Sequence, residues 1–184
     1  MTTSTAVTAE QFLLLPDDLC RRDLMEGEVR TMGAAGTQHG IIAMRLGGAI
    51  EHYVGERGLG LVFAAETGFT LARNPDTVLA PDAAFLRADR VPAGASPEGF
   101  WEVAPDLVVE VDSPGDSRRV VDAKVALYLR YGVRLIWVVR PKSRTVVAYA
   151  PWAAPRTLDA EVTLDGGEVL PGFSYPFARL WAGI

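Results

Sequence analysis

Apolar positions recur at helical spacing over residues 39–57, where Ile42, Leu46, Ile50, Tyr53 and Val54 mark the buried stripe of a helix that Gly58 stops. A second helical pattern spans residues 117–131 and ends at Gly132. It lies between two apolar runs, 106–112 and 134–140, each short enough to be a strand. Strand, helix and strand at this spacing predict a right-handed crossover joining two parallel strands. Residues 67–71 and 78–86 read as strands joined by a turn at Asn74, Pro75 and Asp76, and 145–150 reads as a strand after a turn at 141–143. Thr8 with Gln11 forms a capping box for a short helix through Leu15, before Pro16. Gly27 marks a tight turn from which Glu28 opens another strand. Residues 91–97 form a surface loop, 113–116 break the strand before them, and Asp165, Gly166 and Gly167 signal a hairpin. These elements predict an α/β fold with a mixed sheet flanked by helices.

Composition adds limits. With 184 residues, 49% of them hydrophobic and 22% charged, the chain suits one domain over residues 1–184 with a sizeable core. Its single cysteine, Cys20, makes no internal disulfide and excludes sites built from several thiolates, so a reducing cytoplasm is expected. No signal peptide or membrane span is read from the sequence. The net charge of −5 argues against non-specific coating of nucleic acid. It leaves room for a local basic groove, because carboxylates gathered around a metal count against it.

The candidate chemistry begins with Lys124. On a helical wheel it falls in the middle of the arc filled by Val120, Val121, Val125, Leu127, Tyr128 and Tyr131, opposite Arg119, Asp122, Ala126 and Arg130. A lysine there either snorkels to an edge or meets a carboxylate, since an unpaired buried ammonium costs several kcal/mol. In the strand before it, Glu110 and Asp112 share a face with Val108. A glutamate inside an apolar strand is paired or binds metal, so a purely structural Glu110–Lys124 pair is one reading and a site is the other. Asp82 follows Pro81 between two apolar segments, where proline forces a break or an edge.

Together these residues resemble the PD-(D/E)XK nuclease superfamily, and within it the Uma-two family of putative restriction endonucleases. The resemblance covers nearly the whole chain. It rests on Asp-Leu-Met-Glu-Gly-Glu at 23–28, His39 with Gly40, Gly-Phe-Thr-Leu at 68–71, Ala-Pro-Asp at 80–82 and Pro-Asp-Leu-Val-Val-Glu-Val at 105–111. Ser113 with Pro114, Lys124 with Tyr128 and Leu129, Gly-Val-Arg-Leu-Ile-Trp-Val at 132–138 and Leu-Pro-Gly-Phe at 170–173 complete it. It implies a restriction-endonuclease-like core acting on DNA with Mg²⁺, for which Mn²⁺ substitutes. Asp82 and Glu110 would hold the metal and Lys124 would assist the attacking water. The superfamily's simple pattern puts lysine at position 112; here Asp112 stands there, and the resemblance implies that Lys124 reaches the site from the helix instead.

The family's recurring glutamate corresponds to Glu28, a further catalytic candidate against the reading of a solvated edge residue. His39 reads as a capping or packing residue more readily than a catalytic one. Trp137, Trp152 and Trp181 read as core or interface aromatics. Arg118, Arg119, Arg130, Lys142 and Arg144 are candidate phosphate contacts or a solvated face. Cutting both strands of a duplex calls for two sites, hence an expected homodimer. Two other functions stay open: a catalytically inactive DNA- or partner-binding protein on the same fold, and a small-molecule-binding α/β domain. No glycine-rich phosphate loop supports a nucleotide-binding form of the latter.

Overall fold

The structure, a computed structural model, describes residues 6–16, 20–94, 96, 98–113, 115, 117–159 and 162–184. Pro97, Pro114 and Asp116, which bound the expected loop and strand break, lie outside the described residues.

The capping box forms: Gln11 N–H donates to the Thr8 hydroxyl, and Thr8 N–H donates to the Gln11 side chain. Helix α1 (Ala9–Leu13) follows and stops short of residue 15. β1 (Arg21–Met25) turns at Gly27, whose φ of +84° suits glycine, into β2 (Glu28–Met32). α2 (Thr37–Arg57) ends on Gly58 in the left-handed region, as its sequence predicts. Then come β3 (Gly60–Ala64), β4 (Phe69–Ala72), β5 (Thr77–Leu79), β6 (Ala83–Arg87) and β7 (Leu107–Val111). Ser117 caps α3 (Arg118–Arg130) by accepting from Val120 N–H. β8 (Leu135–Arg140), β9 (Thr145–Ala150), β10 (Ala153–Leu158), β11 (Thr163–Asp165), β12 (Ser174–Pro176) and the short α4 (Phe177–Leu180) complete the chain.

The strands form a six-stranded sheet in the order β10-β9-β8-β7-β6-β3, a four-stranded sheet in the order β2-β1-β5-β4, and the pair β11-β12. β7 and β8 are parallel from Leu107↔Leu135 to Val111↔Val139, as the crossover predicts, and the other pairs of the large sheet are antiparallel. Alternation along β7 sends Leu107, Val109 and Val111 into the core under α2 and α4, while Val108 joins the core under α3. Glu110 therefore faces α3.

Three expectations change. The run 78–86 is not one strand: Pro81, which has no N–H to donate, divides it into β5 in the small sheet and β6 in the large one. The hairpin signal at Asp165 does not close a tight turn; β11 and β12 pair at Asp165↔Ser174 across a longer loop. β3 and β10 lie where no strand is expected. β3 is five residues directly after a helix stop, and β10 is an exposed edge strand carrying Pro155, so neither has a clean period-two pattern. Among the described residues no helix is long and apolar enough to cross a membrane.

Candidate active site

Asp82 stands at the joint between the two sheets. Its N–H donates to Val109 O at 3.0 Å, which clips the joint onto β7. Its carboxylate is 1% exposed. Oδ2 accepts from Val111 N–H at 2.7 Å and lies 3.1 Å from His39 Nε2, while Oδ1 accepts from the Arg21 guanidinium at 2.6 Å. Burial works against its charge, but the His39 hydrogen bond and charge, the Arg21 charge and the Val111 amide outweigh that and hold its pKa below the usual carboxylate range.

One strand over, Glu110 Oε1 receives the Lys124 ammonium at 2.6 Å and the Tyr128 hydroxyl at 2.7 Å. Lys124 does not snorkel: its side chain is 4% exposed, and Nζ also meets Asp23 Oδ2 at 3.1 Å. Asp23 is fixed in turn, since its Oδ1 accepts from Ala80 N–H at 2.9 Å. Burial pushes Glu110 up to about 7, against the Lys124 charge and with help from Asp82 and Asp23. Burial disfavours the Lys124 ammonium too, yet Glu110 and Asp23 more than offset this and raise its pKa. The phenol of Tyr128, raised well above its ordinary value by burial and these acids, stays a proton donor.

The sequence pattern located Asp82, Glu110 and Lys124, and all three line one cavity of about 20 Å³ with Arg21, His39 and Asp112. Glu28 is not drawn into this cluster: on β2 it is 69% exposed and pairs with Arg30. Asp112 is half-buried at the cavity wall, 3.7 Å from Arg140. His39, at the start of α2, is buried with Nε2 3.1 Å from Asp82 Oδ2. Trp137 and Trp181 are buried, whereas Trp152 is exposed, with Arg134 over its ring. Sequence reasoning gave Arg21 no role, and marked Asp23 only as part of the family-like stretch 23–28 with no role of its own. Alternation along β1 puts both on one face, but their burial depends on how the small sheet docks.

The donors suit a hard cation such as Mg²⁺, which takes carboxylate oxygens. A void of about 20 Å³ admits one water-sized sphere. Among the described residues no group of three or more acids, histidines or cysteines is arranged to hold a metal ion. A cation drawing on Asp82 and Glu110 alone would fill its remaining positions with water, as Mg²⁺ does. Asp23, Asp82 and Glu110 face two cations, Arg21 and Lys124. The negative charge left over is met by a proton on Glu110, whose pKa burial raises, or by a bound cation.

A mixed sheet with its acids at the start of one inner strand and the end of its neighbour, and a lysine brought in from the crossover helix, defines a restriction-endonuclease-like α/β fold. The chain belongs to the Uma2 family, described as "Putative restriction endonuclease", whose family model matches residues 9–178. A similar solved structure is the crystal structure, at 1.96 Å resolution, of a "putative nuclease belonging to DUF820" from Anabaena variabilis ATCC 29413. It has a TM-score of 0.82 and 21% sequence identity, over 95% of this chain and 97% of that one. Comparison with curated proteins finds no match.

Proposed function

We propose that this protein is a metal-dependent endonuclease that hydrolyses DNA phosphodiester bonds, with Asp82 and Glu110 holding Mg²⁺ and Lys124 assisting the attacking water. The observation that carries this reading is the buried convergence of Lys124 on Glu110, at 2.6 Å, in the cavity that Asp82 also lines. Bound Mg²⁺ would supply positive charge to phosphate oxygens and acidify a water. Lys124, kept as an ammonium by Glu110 and Asp23, donates hydrogen bonds; its part is to orient the water and offset charge growing on the phosphate, not to remove a proton. Tyr128 and Lys124 fix Glu110, while His39, Arg21 and the Val111 amide fix Asp82, and a metal taking Asp82 Oδ1 would displace Arg21 from it. Glu28, apart from this cluster, enters the reading only as an outer residue. A reducing cytoplasmic setting belongs to the same reading, as does a homodimer wherever both strands of a duplex are cut.

Nicking of supercoiled plasmid in Mg²⁺ or Mn²⁺ tests it, with melting temperature as an independent measure of metal binding. The wild type should nick and should melt higher with Mn²⁺. Glu110→Gln should lose both effects and keep the fold. Lys124→Met should keep the Mn²⁺ shift and lose nicking. A wild type that neither nicks nor responds to Mn²⁺ would end the proposal. One observation favours a second reading, a non-cleaving binding protein on this fold: Arg21 already occupies Asp82 Oδ1. DNA binding with neither nicking nor an Mn²⁺ shift would select it.

A further inference from the structure

The acid cluster stands where two open clefts meet. One, of about 480 Å³, runs between α2 and β3 and has Arg21, His39 and Asp82 at its inner end. Its walls are Gly40, Ala43, Gly47, Val62, Phe63 and their neighbours, and its charged rim is acidic, made by Glu51 and Glu66. The other, of about 460 Å³, shares His39, borders the cluster at Asp112 and carries three cations, Arg118, Arg140 and Lys142. One cleft thus repels phosphate and offers apolar surface; the other attracts phosphate. Both lead to the same acids.

Nucleic acid has these two characters in alternation, a charged backbone and uncharged flat bases. A duplex keeps its bases stacked inside, so it presents phosphates and groove edges to a protein. It could use the basic cleft and would leave the apolar one empty. A single strand can splay a base aside while its backbone continues. The apolar cleft has the volume of an ordinary small-ligand pocket, which runs from roughly 300 to 1,000 Å³, ample for one base with its sugar. Phe63 on its wall is held by edge contacts with Phe69 and Trp101 at 5.1 and 5.7 Å, so it is a fixed surface. Nothing lies within 4 Å of where a Cβ on Gly40 would stand, so the space in front of this helix residue is the cleft itself.

We propose that the substrate strand enters unpaired, with one base seated in the α2–β3 cleft and the adjoining phosphates along Arg118, Arg140 and Lys142. The phosphate to be cut then lies over Asp82 and Glu110. The track rests on the nuclease reading only for that last step.

Binding is measured by fluorescence anisotropy in metal-free buffer, where nothing is cut, with a labelled oligothymidylate of about 15 nucleotides and a duplex of the same length, within the range of known single-strand sites. The single strand should bind at least about tenfold more tightly, the worth of one stacked base. Three cations should give a slope of log affinity against log salt near −2 at about 0.7 per phosphate. Gly40→Leu with Gly48→Leu fills the apolar cleft; it should weaken the single strand by about tenfold, the loss of one stacked base, and leave the duplex unchanged. Arg118→Glu with Lys142→Glu should weaken both ligands and flatten the salt slope. Circular dichroism checks that each variant folds, and the exposed charge pair gives a second test if the filled cleft does not. Equal or tighter duplex binding, or a filled cleft that binds the single strand as the wild type does, overturns the track. The two readings fail separately. A protein that binds as described and cuts nothing in Mn²⁺ loses the nuclease reading and keeps the track. One that nicks plasmid without single-strand preference keeps the nuclease reading and loses the track.

Discussion

At the residue scale, the site is a set of charges that none of its members could sustain alone. Glu110 shows this through pH. Its folded pKa of about 7 lies above the ordinary 4.5, so between those values the native state keeps a proton that the unfolded chain releases. The stabilisation is full below about pH 4.5 and is lost as pH rises through about 7. Denaturant titrations should therefore show the metal-free wild type losing stability between pH 5 and 8, by up to about 3 kcal/mol. Glu110→Gln should flatten this dependence; an unchanged slope would remove Glu110 as its source. Arg21 gives a complementary case. Its guanidinium holds the Asp82 oxygen that a metal would use. Arg21→Met should lower stability without metal, by about 3 kcal/mol or more for breaking a buried pair, and should enlarge the Mn²⁺-induced rise in melting temperature. A smaller rise than in the wild type would mean that Arg21 helps the metal instead of competing with it. Glu110 and Lys124 were legible in the sequence because a charge interrupting an apolar period betrays its own burial. Asp23 sits in no such run, and its burial is a tertiary fact.

At the scale of elements, the two long helices and the parallel pair β7–β8 were legible because each repeats its period over several turns or a full strand. The short strands were not: β3 and β10 are defined by the partners they find, β6 and β9. The same contrast explains Pro81. Its disruption was visible, but the assignment of the two halves to different sheets follows from pairings with Leu24 and Val109 that no local window contains. Helix α2 carries Gly40, Gly47 and Gly48 inside its span. Since a Cβ at Gly40 meets nothing, Gly40→Ala should stabilise the protein by about 0.5–1 kcal/mol, the usual helical difference. Thermal melting checks this, and a lower melting temperature would show that the open space matters to folding. Tyr128→Phe on α3 removes a buried donor from Glu110 and should cost about 1–3 kcal/mol, read by the same melts.

At the scale of the whole molecule, a net charge of −5 coexists with a basic cleft beside the acids. On the proposed reading, weak general attraction to DNA and strong local attraction at one site are compatible, because only a few phosphates would be engaged. The proposed homodimer belongs only to the case in which both strands of a duplex are cut. Sedimentation at micromolar concentration bears on this, a dimer going with duplex cutting and a monomer sufficing for a single strand. The joint at Asp82 reaches further. Arg21 and Asp23 come from the small sheet, Glu110 from the large one, and Lys124 from the helix that packs on the large sheet. Peeling the small sheet away would strip Lys124 of Asp23 and Asp82 of Arg21 in one event. The two sheets are thereby locked into one cooperative unit, and amide exchange in β5 and β7 should proceed through a common opening. It also separates ancestry from activity. A descendant that had abandoned cleavage would still be held by folding to Asp23 with Lys124 and Asp82 with Arg21, while Glu110 would be free to become glutamine, so those two pairs in a relative record descent before they record a working enzyme.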